Sequence, residues 1–499
     1  MKKTTLTLAL LLTLCGSSRL SAQSDSRPAL LTDESPKFTT GNANPLLDFT
    51  FIADPTSVEY NGRLYVYGTY DTQQLDSVGP EGKNSYEHIH SLAMLSTDDM
   101  VNWTWHGIID VGAISPWGMA SWAPSIISRV EADGKTHFYL YYSNSGTGVG
   151  MLTSTSPVGP WSDPLGHPLI WQNMPGLGHC PAPFDPGAVI DGYGTGWLAF
   201  GGGGKGDHGT DYMPGDARIV RLGDDLCSLG SDIVEVPTPY HFEAQELDYI
   251  DDTWVYTYNT DWQERPVWPF NADKPTRCCM SYLTSRTPLD KDSWQYQDNY
   301  FKNPGDYGME YSNNHTHLQK YKGQYYLIYH NLELQGYKGI HTGYRSICID
   351  RIQVDEHPIK IHMTKTTREG VPQIQPLNPF GWQQAETTAA TVGVRFEPTD
   401  LPGNMVATGL ADRASAIRVR GVDFSRQPKS FKAQAAGKGT LEVRIDGPDG
   451  PRVAVVSFDG NPAMSTRSVQ TAEIASGVHD LYFLFNGTGL KFDAWRFGD

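Results

Sequence analysis

Short runs of alternating apolar and polar residues dominate this chain, and they predict strands rather than helices. One strand–turn–strand phrase recurs five times. It begins as DPTSVEYNGRLYVYGTYD at Asp54 and returns as APSIISRVEADGKTHFYLYYSN at Ala123. The third copy is DPGAVIDGYGTGWLAFGG at Asp185. EAQELDYIDDTWVYTYNTD follows at Glu243 and HTHLQKYKGQYYLIYHN at His315. Each phrase has a short apolar strand, a turn containing Gly or Asp, and a second strand rich in aromatics. From Gln383 the rhythm changes. AIRVRGVDF, KSFKAQAA, TLEVRID, RVAVVSF and HDLYFLF predict a separate β-sandwich of jelly-roll type.

The starts of the five phrases are 69, 62, 58 and 72 residues apart. Each step holds about four short strands, the content of one propeller blade. The fold class is therefore all-β: a five-bladed β-propeller over residues 45–360, a connector at 361–380 and a β-sandwich over 381–499. In a closed ring the innermost strand of each blade begins near the axial funnel. The first residues of the five phrases should then face that funnel: Asp54, Ala123, Asp185, Glu243 and His315. A lone Asp-Pro pair is usually a turn element, and Asp163–Pro164 reads as one. Three carboxylates at equivalent positions are different, because like charges gathered in one mouth repel. Repetition of structure alone does not put them there.

Composition narrows the ligand. Aromatics make up 11% of the 499 residues, against 19% charged. That excludes disorder, and 51 Gly with 33 Pro disfavour a helical bundle. The net charge of −17 argues against nucleic acid. A neutral sugar, whose C–H faces stack on aromatic rings, suits an acidic, Tyr- and Trp-rich protein better.

Residues 1–22 read as a cleavable secretory signal, with Lys2 and Lys3, an apolar run from Leu6 to Leu14, and Ala22 at the cut. The run is too short to span a bilayer, so no membrane span is expected. The expected location is secreted or periplasmic. Lipoprotein anchoring at Cys15 ranks lower, because Leu14 is bulky for such a site. Residues 23–44 form an N-terminal segment. Five cysteines remain after cleavage; they fit no zinc spacing, and an odd count leaves at least one thiol without an internal partner.

Asp54–Pro55, Trp122–Ala123–Pro124, Asp185–Pro186, Phe242–Glu243–Ala244 and Asn314–His315 together resemble glycoside hydrolase family 43. The resemblance covers about residues 45–375. It implies an inverting hydrolase of arabinose- and xylose-containing plant cell-wall polysaccharides, with no cofactor needed for the chemistry. Asp54 would be the general base, Glu243 the general acid, and Asp185 the group that raises the pKa of Glu243. Trp122, His315 and Arg345 would line the sugar site. Glu246 is the alternative acid, disfavoured because an odd offset along a strand turns it to the other face. His317 should likewise point away. The Gly201–Gly204 run lacks the Lys-Ser/Thr of a phosphate loop and reads as a loop at the funnel rim.

The C-terminal domain resembles carbohydrate-binding module family 6, through Gln384-Ala385-Glu386, GVDF at 421–424, GVHDLYFLF at 477–485 and Phe492-Asp493. The resemblance implies a structural calcium at Glu386 and Asp493. Family members often carry binding aromatics where this chain has Ala416, GNPAMSTRS at 460–468 and Ala494. Sugar binding at the usual cleft therefore stays open. Long insertions at 71–92 and 262–277 should wall the funnel into a pocket. That favours an exo-acting α-L-arabinofuranosidase. A β-D-xylosidase is the alternative, followed by an endo-arabinanase and a non-catalytic sugar-binding propeller. The motifs do not encode the oligomeric state.

Overall fold

The computed structural model describes residues 35–203, 212–263, 265–410 and 414–499. The expected secretory signal, with Cys15, lies outside the described residues. Five sheets follow one another around a ring. The four-stranded core of blade one comprises Ala53–Tyr60, Arg63–Thr69, Ser91–Thr97 and Trp103–Asp110. Blades two, three and four have four strands each and begin at Trp122, Gly187 and His241. Blade five pairs only three: Thr316–Tyr321, Gln324–Asn331 and Ser346–Arg351. The N-terminal segment completes its edge. Leu46 N–H donates to Ile347 O, and Asn44 Oδ1 accepts from Ile349 N–H.

Local chemistry sets the hairpins. Asn61-Gly62, Asp251-Asp252 and Lys322-Gly323 each place two successive residues at positive φ, the turn geometry that matches strand twist. The aromatic second strands are buried on both faces. In blade two, Phe138, Leu140 and Tyr142 pack toward blade one, while Tyr139 and Tyr141 pack toward blade three. Five such clusters fill the five gaps between blades. The last joins Tyr326, Ile328 and Ile349 to Leu64, Val66 and Trp103, closing the ring. The Tyr and Trp excess is thus mostly core material.

The C-terminal domain is a strongly bent, nearly closed sheet. The long strands Ser430–Ile445, Arg452–Gln470 and Val478–Gly498 curl around a core that includes Phe431, Phe483 and Trp495. It is fused to the propeller. Thr387 and Thr388 pair with Thr104 and Trp103, adding a fifth strand to blade one. Residues of the connector also pack inward, with Val371 in the ring-closing cluster and Leu377 in the sandwich core. Ala416 is fully buried in a cluster with Phe38 and Tyr482, so the short helix Pro36–Thr40 covers that strand. Trp495 is a core ring, not a platform. No helix among the described residues is long and apolar enough to cross a membrane. Cys180, Cys227, Cys278, Cys279 and Cys348 are all free thiols.

Candidate active site

The inner strands of blades one, two and four carry a bulge at their starts, and in blade three Asp185 stands just before the strand. Asp54, Ala123 and Asp185 adopt left-handed backbone, with φ of 49°, 37° and 49°. Their N–H groups do not join the ladder. Ala123 donates to Thr69 Oγ1 and Asp185 to Ser143 Oγ, each at the end of the preceding blade's second strand. Asp54 closes the circle by donating to His330 Nδ1 of blade five. Asp tolerates left-handed geometry better than most residues, which suits it to this position.

Blade four departs from the expected equivalence. There the left-handed residue is Ala244 (φ 59°), not Glu243. The phrases are offset by one, and Glu243 matches Trp122 rather than Ala123. The cause lies in blade three, whose second strand ends at Gly201 and offers no side-chain acceptor. Ala244 N–H donates instead to Asp185 Oδ2 at 3.0 Å. Asp185 therefore fixes the backbone beside Glu243 as well as its electrostatics.

Asp54 is 4% exposed and held on every side. Arg345 Nη1 donates to Oδ1 at 2.9 Å, Thr69 Oγ1 donates to Oδ2 at 2.7 Å, and His315 Nδ1 lies 3.5 Å from Oδ1. Burial alone would raise its pKa. Arg345, His315 and His330 outweigh burial and hold the carboxyl far below the usual range. Arg345 is itself clamped by Asp71, which accepts from Nε and Nη2 at 2.9 Å each. The guanidinium stacks 4.7 Å from the Tyr86 ring centre. Burial lowers the pKa of His315, but the Asp54 carboxylate raises it to about 9 and keeps the ring cationic. These charges cancel: two cations, Arg345 and His315, face two anions, Asp54 and Asp71.

Glu243 is half-buried and has no ion-pair partner among the described residues, although the charges of His315 and Arg345 reach it. Burial, then the charges of Asp185 and Asp54, push its pKa up to about 8. Burial raises Asp185 to about 6. One carboxyl is therefore protonated and another ionised at neutral pH, the division that acid–base glycoside cleavage requires. Burial does most to keep Glu243 protonated, and replacing Asp185 by Asn removes the larger of the two anionic contributions added to it. The alkaline limb of kcat/KM, set near pH 8 by Glu243, is expected to move about one unit lower; a pH–rate profile checks this.

The half-buried Trp122 donates its indole N–H to Tyr86 O and walls the same side. Glu246 has another partner: its Oε2 lies 3.6 Å from His317 Nδ1. The bulge after Glu243, more than strand alternation, separates the two acids. Asp163 is a turn residue, accepting from Leu165 and Gly166 N–H. In the glycine run, Gly203 N–H donates to Phe242 O beside the site; residue 204 lies outside the described residues. Residues 71–92 supply Asp71 and Tyr86. Asp71 escaped sequence reasoning, yet a signal existed: the phrases of blades one and four end in GTYD and YNTD. Both terminal acids, Asp71 and Asp261, hold a buried arginine.

In the sandwich, Glu386 is fully buried. Its Oε1 accepts from Met405 N–H, whereas Oε2 has no partner among the described residues. Burial, with the nearby Asp493 charge, pushes its pKa up to about 8. Asp493 Oδ1 accepts from Asn404 Nδ2. An orphaned carboxylate oxygen beside a second carboxylate fits a hard cation. No three His, Cys, Asp or Glu side chains converge among the described residues, so backbone or amide oxygens would complete the set.

Comparison with known proteins agrees with this architecture. The family model for glycosyl hydrolases family 43 matches residues 43–358, and that for carbohydrate binding module (family 6) matches 384–499. An arabinoxylan arabinofuranohydrolase of Bacillus subtilis is 35% identical over 485 residues, 92% of each chain. One from Paenibacillus polymyxa is 32% identical and covers 92% of this chain and 74% of its own. The crystal structure of a family 43 arabinoxylan arabinofuranohydrolase from Bacillus subtilis, in complex with cellotetraose, superposes with a TM-score of 0.84 at 33% identity. That match covers 92% of this chain and 98% of that one. A propeller with acids at its inner strand ends, matched by the model over most of the chain, makes this protein a member of glycoside hydrolase family 43.

Proposed function

We propose that this glycosidase is a secreted, inverting α-L-arabinofuranosidase that removes arabinofuranosyl side groups from arabinoxylan. The observation that carries the reading is a set of acids in two environments: Asp54 gripped by Arg345 and Thr69, and Glu243 on the strand start that Asp185 holds, without an ion-pair partner among the described residues. Asp54 takes a proton from water as the water oxygen bonds to the anomeric carbon. The glycosidic C–O bond breaks on the other side, and Glu243 gives its proton to the departing oxygen. Asp185 keeps Glu243 protonated, and Arg345 with His315 keeps Asp54 anionic. Likeness to two arabinoxylan arabinofuranohydrolases supports the substrate, and the basic, apolar N-terminus supports export.

Purified protein is expected to cleave nitrophenyl α-L-arabinofuranoside at least tenfold faster than nitrophenyl β-D-xyloside. It should release arabinose from arabinoxylan. Proton NMR of the first turnovers should show the inverted anomer. Faster xyloside cleavage, or release of the anomer with retained configuration, contradicts the reading.

Calcium at Glu386 and Asp493 is the second part of the proposal. There it would satisfy the orphaned Oε2 and brace the seam where Trp105 N–H donates to Glu386 O. Calcium in excess of its Kd is expected to raise the melting temperature by several degrees, and Glu386→Gln to abolish that rise. Scanning calorimetry with and without chelator checks it.

A further inference from the structure

In blade four, the second insertion and the segment leading to His315 enclose an open cavity of about 860 Å³. Its walls include Trp262, Lys274, Arg277, Asp306 and Tyr311. The connection to Glu243 is short. Cys278 follows Arg277, its Sγ lies 3.1 Å from Asn259 Nδ2, and Asn259 is the cross-strand partner of Glu243. On the other wall, Tyr311 stands four residues before His315. These contacts tie the cavity wall to the strand pair that carries the proposed acid.

Its chemistry is unusual for a chain of net charge −17. Trp262 and Tyr311 form an edge-to-face pair with centroids 6.4 Å apart, and Tyr311 is 53% exposed. Lys274 and Arg277 are exposed and have no ion-pair partner among the described residues; Lys274 Nζ reaches only Arg265 O, at 3.4 Å. Arg265 is spent internally, since Asp261 takes its charge. The one described carboxylate in the lining, Asp306, accepts from Thr276 Oγ1 and Tyr311 Oη, one on each oxygen. Glu310 is turned to Gln335 and His341. With Asp306 engaged by two hydroxyl donors, the described lining keeps two cations against one carboxylate, and that excess beside two rings suits a sugar that carries a carboxylate.

We propose that this cavity is a leaving-group subsite that recognises a uronic acid residue on the polymer, with Lys274 and Arg277 facing its carboxylate and Trp262 and Tyr311 its ring. The proposal rests on the reading of Glu243 as the acid and of a polymer as substrate. The probe is a glucuronic-acid-bearing arabinoxylan and the same polymer after its carboxyls are reduced to neutral alcohols. Wild-type kcat/KM is expected to favour the acidic form about fivefold at low salt, within the range of two exposed ion pairs. The preference should collapse in about 0.5 M NaCl and in the Lys274→Gln/Arg277→Gln double variant. Equal rates on the two polymers in the wild type, or an unchanged preference in the double variant, would overturn the subsite. Release of no arabinose from either polymer, with nitrophenyl arabinofuranoside also left intact, would instead overturn the underlying reading.

Discussion

Glu243→Gln is expected to lower kcat on arabinoxylan about 10³-fold, the scale on which a positioned general acid acts. That corresponds to about 4 kcal/mol of transition-state stabilisation. The amide keeps the side-chain volume at the funnel but holds no transferable proton. A sugar hydroxyl is a poor leaving group and needs that proton as the C–O bond breaks. A dinitrophenolate does not. The same variant is therefore expected to retain hydrolysis of dinitrophenyl arabinofuranoside to within about tenfold. Its profile should also lose the alkaline limb that Glu243 imposes. Equal losses on both substrates would place the proton donor elsewhere, with Glu246 and its His317 partner next in line.

Much of this site could be read before the fold was known, for a physical reason. Bulged inner-strand starts need residues that tolerate positive φ, and Asp-Pro phrases announce two of them, Asp54 and Asp185. The repeat period and the alternating strands carried the ring as well. What stayed hidden depended on long-range contacts. Asp71 acts only because Arg345, 274 residues away, folds onto it. The one-residue offset at Glu243 follows from a missing side chain at Gly201 in the neighbouring blade. Nothing in the phrase EAQELDY records that. The aromatic richness pointed to sugar, yet most rings proved to be packing between blades. Trp122, Tyr86, Trp262 and Tyr311 are exceptions near the funnel, and only Trp122 had a motif to mark it. The sandwich obeyed its strand pattern, but its fusion to blade one through Thr387 and Thr388 rests on two short polar residues with no periodic signature.

Asp54→Asn is the complementary test, and its effect should not depend on the leaving group. Asparagine fits the same cavity and tolerates φ of 49°, so the bulge and its bond to His330 are kept. Arg345 retains Asp71 as its partner. Melting is therefore expected within a few degrees of wild type, whereas Asp54→Ala adds left-handed strain of about 1 kcal/mol. Catalysis is another matter. The amide cannot accept a proton from water, and the funnel loses the anion that faces Arg345 and His315. A loss of about 10³ to 10⁴-fold in kcat is expected on arabinoxylan and on dinitrophenyl arabinofuranoside alike. His315 also loses the carboxylate that raises its pKa to about 9, so its proton should leave at lower pH, which NMR titration of the imidazole reads directly. A variant that kept both activities would remove Asp54 from the mechanism. One that lost activity only on the polymer would exchange the roles of Asp54 and Glu243. Loss on both substrates with a shifted His315, in a protein that still melts cooperatively, is the combination that general-base action by a clamped, buried carboxylate demands.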